Sequence, residues 1–97
     1  MLTMHPGEYL EMAYLEPLQL SQKKLSDMLG VSPAAISRLV SGNSDLSPEM
    51  AVRLSLSFDR SAESWMQMQM QHSLQIAKTA VDPTTIVRRV QPACAAE

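Results

Sequence analysis

The chain predicts an all-α fold, and three observations predict it. Glycine and aromatic residues are sparse, at three and four in 97 residues. Alternating β-branched runs are nearly absent, so the two-residue period of a sheet has little to build on. A serine followed by the grammar of a helix start recurs at Ser21, Ser32, Ser47 and Ser61, twice with proline in the next position. The length suits a single core of modest size.

Each element follows in order. Residues Met1 to His5 read as a frayed start. Pro6 takes the first helical position and Glu8 the first turn, where a carboxylate favours the helix dipole. Tyr9, Leu10, Ala13 and Tyr14 form one apolar stripe, and Pro17 stops this first helix because the residue before a proline avoids the α region. The second helix runs from a cap at Ser21 to Leu29, and Gly30 supplies the positive φ of a sharp exit. The third runs from a cap at Ser32, through Pro33, to about Val40. Leu20 with Leu25 and Val31 with Ile36 make hydrophobic staples. Leu25, Leu29, Val31, Ile36 and Leu39 fall where the two helices press on each other and on a core. That is a helix-turn-helix arrangement.

Residues 43–46 read as a loop. Ser47-Pro48-Glu49 opens a fourth helix to about Ser57, with Met50, Ala51 and Leu54 inward and Leu46 and Phe58 joining them. Ser61 caps a fifth, expected to run to about Ala77 or Ala80, with Trp65, Met66, Met70 and Leu74 on or near one stripe. The tail divides its preferences: Asp82-Pro83 favours a short helical cap, and Thr84 to Val87 favours a strand. A short irregular or extended element packed on a neighbour is expected there. The organisation is therefore a helix-turn-helix domain over 1–80 and a tail over 81–97 available for partner or dimer contacts.

Charge is distributed unevenly. The net value is −2, yet Gln22 to Gly42 carries Lys23, Lys24 and Arg38 against Asp27, whereas Met1 to Leu20 carries Glu8, Glu11 and Glu16 with no cation. A small positive face on an acidic body gives a weak phosphate term per chain, which dimerisation would double. The single cysteine, Cys94, cannot close an internal disulfide and fits a reducing cytoplasm. No apolar run approaches a membrane span, and no signal sequence opens the chain.

Catalysis is not expected. His5 and His72 lie far apart in sequence, and neither has a second histidine or cysteine at metal-ligand spacing. The glycines are isolated, so there is no phosphate-cradling loop, and no arrangement on the catalytic checklist is present. Neither a metal nor a cofactor is implied. The methionines near Trp65 are best read as core plus a dimer seam formed by Trp65, Met66, Met70 and Leu74.

The outward positions of the third helix have the chemistry for DNA. With Ile36, Leu39 and Val40 inward, Ser32, Pro33, Ala34, Ser37, Arg38 and Ser41 point out. Arg38 alone among them can make a bidentate contact to guanine or hold a phosphate. The serines can reach phosphates or bases, and the Ala34 methyl can pack on a thymine methyl. Gln22 is placed to bind a phosphate and brace the third helix, and Lys23 and Lys24 add phosphate charge.

The run HPGEYLEMAYLEPLQLSQKKLSDMLGVSPAAISRLVSG, followed by LSPEMAVRLSLSF and SAESWMQMQ, resembles the HigA family of antitoxins within the wider Cro/C1 (XRE) helix-turn-helix class. The resemblance covers Met4 to Ala80. It implies a compact five-helix, lambda-repressor-like domain that dimerises, binds a palindromic operator and represses its own genes. It also implies neutralisation of a HigB-like toxin, an mRNA-cleaving ribonuclease of RelE type. Asn43, Ser44 and Asp45 stand where the family often carries Lys and Arg, which lowers the expected DNA affinity and its salt dependence. Asp59 stands where glycine often ends the fourth helix, a left-handed position that aspartate tolerates. The competing readings are an XRE-type regulator without a toxin and a protein-interaction module that has lost DNA binding.

Overall fold

The computed structural model describes residues 3–87. Its elements are α1 (Pro6–Leu10), which continues as a π-helical segment (Glu11–Leu15), then α2 (Gln22–Leu29), α3 (Pro33–Val40), α4 (Pro48–Ser57), α5 (Ala62–Ala80) and a 3-10 turn (Pro83–Thr85). The serine grammar operates at all four starts where it is predicted. Ser21, Ser32, Ser47 and Ser61 each hold an extended backbone and accept an N–H bond from the residue three positions on, at 3.0–3.1 Å. Gly30 has φ +71 and closes α2 in the left-handed conformation, and Gly42, at φ +81, follows α3.

One core joins the helices. Leu10, Leu15, Leu25, Leu29, Ile36, Leu39, Leu46, Ala51, Leu54 and Trp65 form it, with Leu20, Val31, Met50 and Phe58 packed against its edge. Ser26 is buried where α2 meets its neighbours, its hydroxyl donating to the Lys23 carbonyl at 2.7 Å. An alanine-sized side chain with an internally satisfied hydroxyl costs little there.

The first helix departs from its predicted stripe. Pro17 cannot donate to the Ala13 carbonyl and its ring crowds that oxygen. The preceding turn widens instead, with the Glu16 N–H donating to the Glu11 carbonyl at 2.9 Å, an i to i−5 bond. This brings Leu15, five residues after Leu10, into the core, and leaves Tyr9, Ala13 and Tyr14 half-buried. The chain turns on through Gln19, which takes φ +52, and the Leu20 N–H reaches back to the Leu15 carbonyl at 2.8 Å. Asp59 has no positive φ; Phe58 ends α4 in extended backbone.

The fifth helix corrects the expected dimer seam. Trp65 is fully buried within this chain, meeting Tyr9 at 5.7 Å and Tyr14 at 6.1 Å between ring centroids, so it offers nothing to a surface. Met66 is half-buried against the core, and Gln69 rather than Met70 continues the inward face. Met70 and Leu74 remain exposed, as do all residues from Ile76 to Val87. The tail forms a 3-10 turn capped by Asp82, whose carboxylate accepts the Thr84 N–H at 3.0 Å, instead of a strand. Cys94 lies outside the described residues.

Candidate nucleic-acid interface

The Gly30-Val31 turn sets α3 against α2 with a fixed outer face. Ile36 and Leu39 are buried to within 2 % exposure, and Ser32, Pro33, Ala34, Ser37, Arg38 and Ser41 are all exposed. Gln22, Lys23 and Lys24 are exposed on α2. The sequence therefore separates inward from outward positions on α3 as expected.

Hydrogen bonding distinguishes among these residues. The Ser32 oxygen accepts the Ala35 N–H at 3.1 Å, which leaves its own O–H free to donate outward. The Ser41 hydroxyl donates to the Arg38 carbonyl at 3.1 Å, so its proton is already committed to the helix end. Lys23 is 3.5 Å from Asp27 one turn on, which offsets part of its charge. Lys24 and Arg38 have no ion-pair partner among the described residues. They are the uncompensated cations of this surface.

Three supporting residues escape a sequence reading. Arg53 donates from Nη1 to the Leu29 carbonyl at 2.7 Å, while Nε and Nη2 hold the Glu49 carboxylate at 3.2 and 2.9 Å. It thus satisfies a carbonyl left open at the end of α2 and fixes the turn. The Glu49–Arg53 spacing was the available signal, but it reads equally as an ordinary surface pair. Gln69 of α5 binds the loop after α3, its Oε1 accepting the Leu46 N–H at 2.7 Å.

His5 is the third. It caps α1, its Nδ1 accepting the Gly7 N–H at 2.9 Å, which places the remaining ring proton on Nε2 facing the Ser44 carbonyl at 3.1 Å. The two histidines that are distant in sequence meet here, with ring centroids 5.4 Å apart, and His72 Nδ1 pairs with the Thr3 hydroxyl at 3.2 Å. Both His5 nitrogens and His72 Nδ1 are engaged with protein groups. Among the described residues no three of His, Cys, Asp or Glu gather as metal ligands.

The Helix-turn-helix family pattern matches residues 12–65, which enclose α2, α3 and α4. The chain belongs to the helix-turn-helix family, in its XRE-type, HigA-like group. This helix-turn-helix chain is 37 % identical over 78 residues to Virulence-associated protein I of Dichelobacter nodosus, covering 80 % of this chain and 72 % of that one. It is 39 % identical over 64 residues to the transcriptional regulator YbaQ of Escherichia coli K12, covering 66 % of this chain and 57 % of YbaQ. Among solved structures, PA4674 of Pseudomonas aeruginosa in complex with its operator DNA superposes with a TM-score of 0.79 at 36 % identity, covering 82 % of this chain and 84 % of that one. Pseudomonas aeruginosa antitoxin HigA with the higBA promoter gives 0.77 at 33 % identity, covering 82 % and 96 %. No helix among the described residues is long and apolar enough to cross a membrane.

Proposed function

We propose that this chain is a non-catalytic, operator-binding antitoxin that acts in the cytoplasm as a homodimer, represses its own genes and neutralises a HigB-like ribonuclease. The observation that carries the reading is the outer face of α3. Its Ser32, Ala34, Ser37 and Arg38 are exposed with hydrogen-bonding or methyl groups available, over a buried Ile36–Leu39 face that holds the helix rigid. A helix presented this way enters a major groove with its N-terminal turns on base edges. Likeness to two chains whose structures are described with operator or promoter DNA supports the same mode here.

In this mechanism Arg38 reads a base edge, and Lys24, Gln22 and the Ser32 hydroxyl hold the backbone. Lys23 contributes less because Asp27 competes for it. Ser41 and Pro33 shape the helix ends. Few cations means few released counterions, so a second copy on a half-site ~34 Å away supplies the missing affinity. The exposed Met70 and Leu74 of α5, with the following tail, are the surface assigned to that second copy.

Titration of labelled upstream DNA against a scrambled duplex at low salt tests the reading. Saturable binding with at least ~10³-fold preference for the upstream sequence supports it. Equal binding to both, or none, favours the protein-interaction alternative. Co-expression with a HigB-like ribonuclease encoded next to the gene tests the toxin: rescue of growth supports neutralisation, and unrelieved toxicity or the absence of such a neighbour opposes it.

A further inference from the structure

One buried side chain of α5 reaches the loop behind α3. Gln69 is 5 % exposed, and its Oε1 accepts the Leu46 N–H at 2.7 Å. That bond fixes the amide, because a backbone N–H has to be met by the oxygen end. The Nε2 end then donates to Ser73 Oγ at 2.8 Å and to Asp45 Oδ1 at 3.4 Å. The same loop is tied from the other side by His5 on the Ser44 carbonyl, which limits backbone movement around Asp45.

Asp45 matters because of its neighbour. Asp45 and Arg38 line a single cleft together with Ala35, Ser44 and Met50. They form no ion pair: those among the described residues are Lys23–Asp27 and Arg53–Glu49. A carboxylate free to turn beside an unpaired guanidinium gains a charge-assisted, often bidentate contact. Such a contact would occupy the donors that a guanine edge or phosphate needs.

We propose that Gln69 is a positioning residue that holds Asp45 toward α5 and so leaves the Arg38 guanidinium open to DNA. The proposal rests on the DNA-binding reading of α3. It assigns to α5 a second role besides packing: its inward amide governs the charge presented on the opposite side of the loop.

The test compares the full chain with Gln69→Leu, Gln69→Glu, Asp45→Asn and Gln69→Leu/Asp45→Asn, with circular dichroism melts confirming that each folds. Gln69→Glu keeps an acceptor for Leu46 and repels Asp45, so it releases the carboxylate without emptying the site. In free protein, NMR exchange of the Arg38 Nε–H is expected to slow in both Gln69 variants and return to the wild-type rate in the double variant. On upstream DNA, the Gln69 variants are expected to lose about tenfold in affinity, and Asp45→Asn to recover it in the Gln69→Leu background while changing wild type far less. Unchanged Arg38 exchange across the folded set overturns the proposal. So does an Asp45→Asn effect of equal size in both backgrounds. If wild type binds no upstream DNA, the role in DNA presentation falls with that reading, and the Arg38 exchange still reports separately whether Gln69 restrains Asp45.

Discussion

Gly7 and Leu39 meet backbone to backbone. A Cβ at Gly7 would stand 2.6 Å from the Leu39 carbonyl carbon and 3.0 Å from the Val40 Cα. The start of α1 is thereby seated on the end of α3, with Pro6 and His5 buried beside it. Neither neighbour is the movable end of a side chain, so relief requires shifting a helix. Gly7→Ala is expected to cost about 3 kcal/mol or more, at the upper end of overpacking. A urea melt with the wild-type midpoint would show that α1 is free to move away.

Arg53 separates a turn brace from a surface ion pair. Its bond to the Leu29 carbonyl is partly buried, whereas Glu49 is largely exposed. Arg53→Ala should lose about 1–2 kcal/mol by leaving that carbonyl unmet, and Glu49→Ala less than ~0.5 kcal/mol. Equal losses in thermal unfolding would assign the stability to the ion pair instead.

Trp65 and Leu74 lie about two and a half turns apart on α5. Trp65→Ala removes the largest fully buried side chain and should cost about 3–5 kcal/mol in any oligomeric state. Leu74 is 47 % exposed, so Leu74→Asp should leave the fold intact and shift sedimentation toward the monomer. A Leu74→Asp protein that sediments as wild type would contradict the proposed pairing through Leu74.

Tyr14 gives a pH signature. Burial, then its bond to Asp59, raises its hydroxyl above the ordinary 10.0. A raised folded value means that the contribution is present in full below pH 10.0 and is lost as pH rises through the folded value. Tyr14→Phe should therefore show a flatter loss of stability in alkaline melts than wild type. Parallel curves would mean that Tyr14 contributes nothing by this route.

Helix starts were legible because a serine cap is a local device: Ser21, Ser32, Ser47 and Ser61 each act within three residues. The outer face of α3 was legible because it is the complement of Ile36 and Leu39. Leu15 escaped because a widened turn before Pro17 breaks the 3.6-residue period on which the stripe was drawn. Sequence places Trp65 at a seam because hydrophobic surplus does not say which apolar residue is enclosed. Its ring partners Tyr9 and Tyr14 come from the first helical segment, and Phe58 stacks on Tyr14 in turn. His5 and Gln69 were missed for a related reason. Their partners, Ser44 and Leu46, are backbone groups 39 and 23 residues away, and backbone leaves no trace in side-chain spacing.

In the proposed mode Arg38 reads DNA directly while Lys24 only holds it. The most direct measurement is the affinity of wild type, Arg38→Ala and Lys24→Ala for upstream DNA and for single-base variants of it, across a salt series. Arg38→Ala should lose about 1–3 kcal/mol and its preference at one base position, whereas Lys24→Ala should weaken all sequences alike and reduce the salt slope by about 1. An Arg38→Ala protein that keeps both the affinity and the base preference of wild type would mean that Arg38 reads no base.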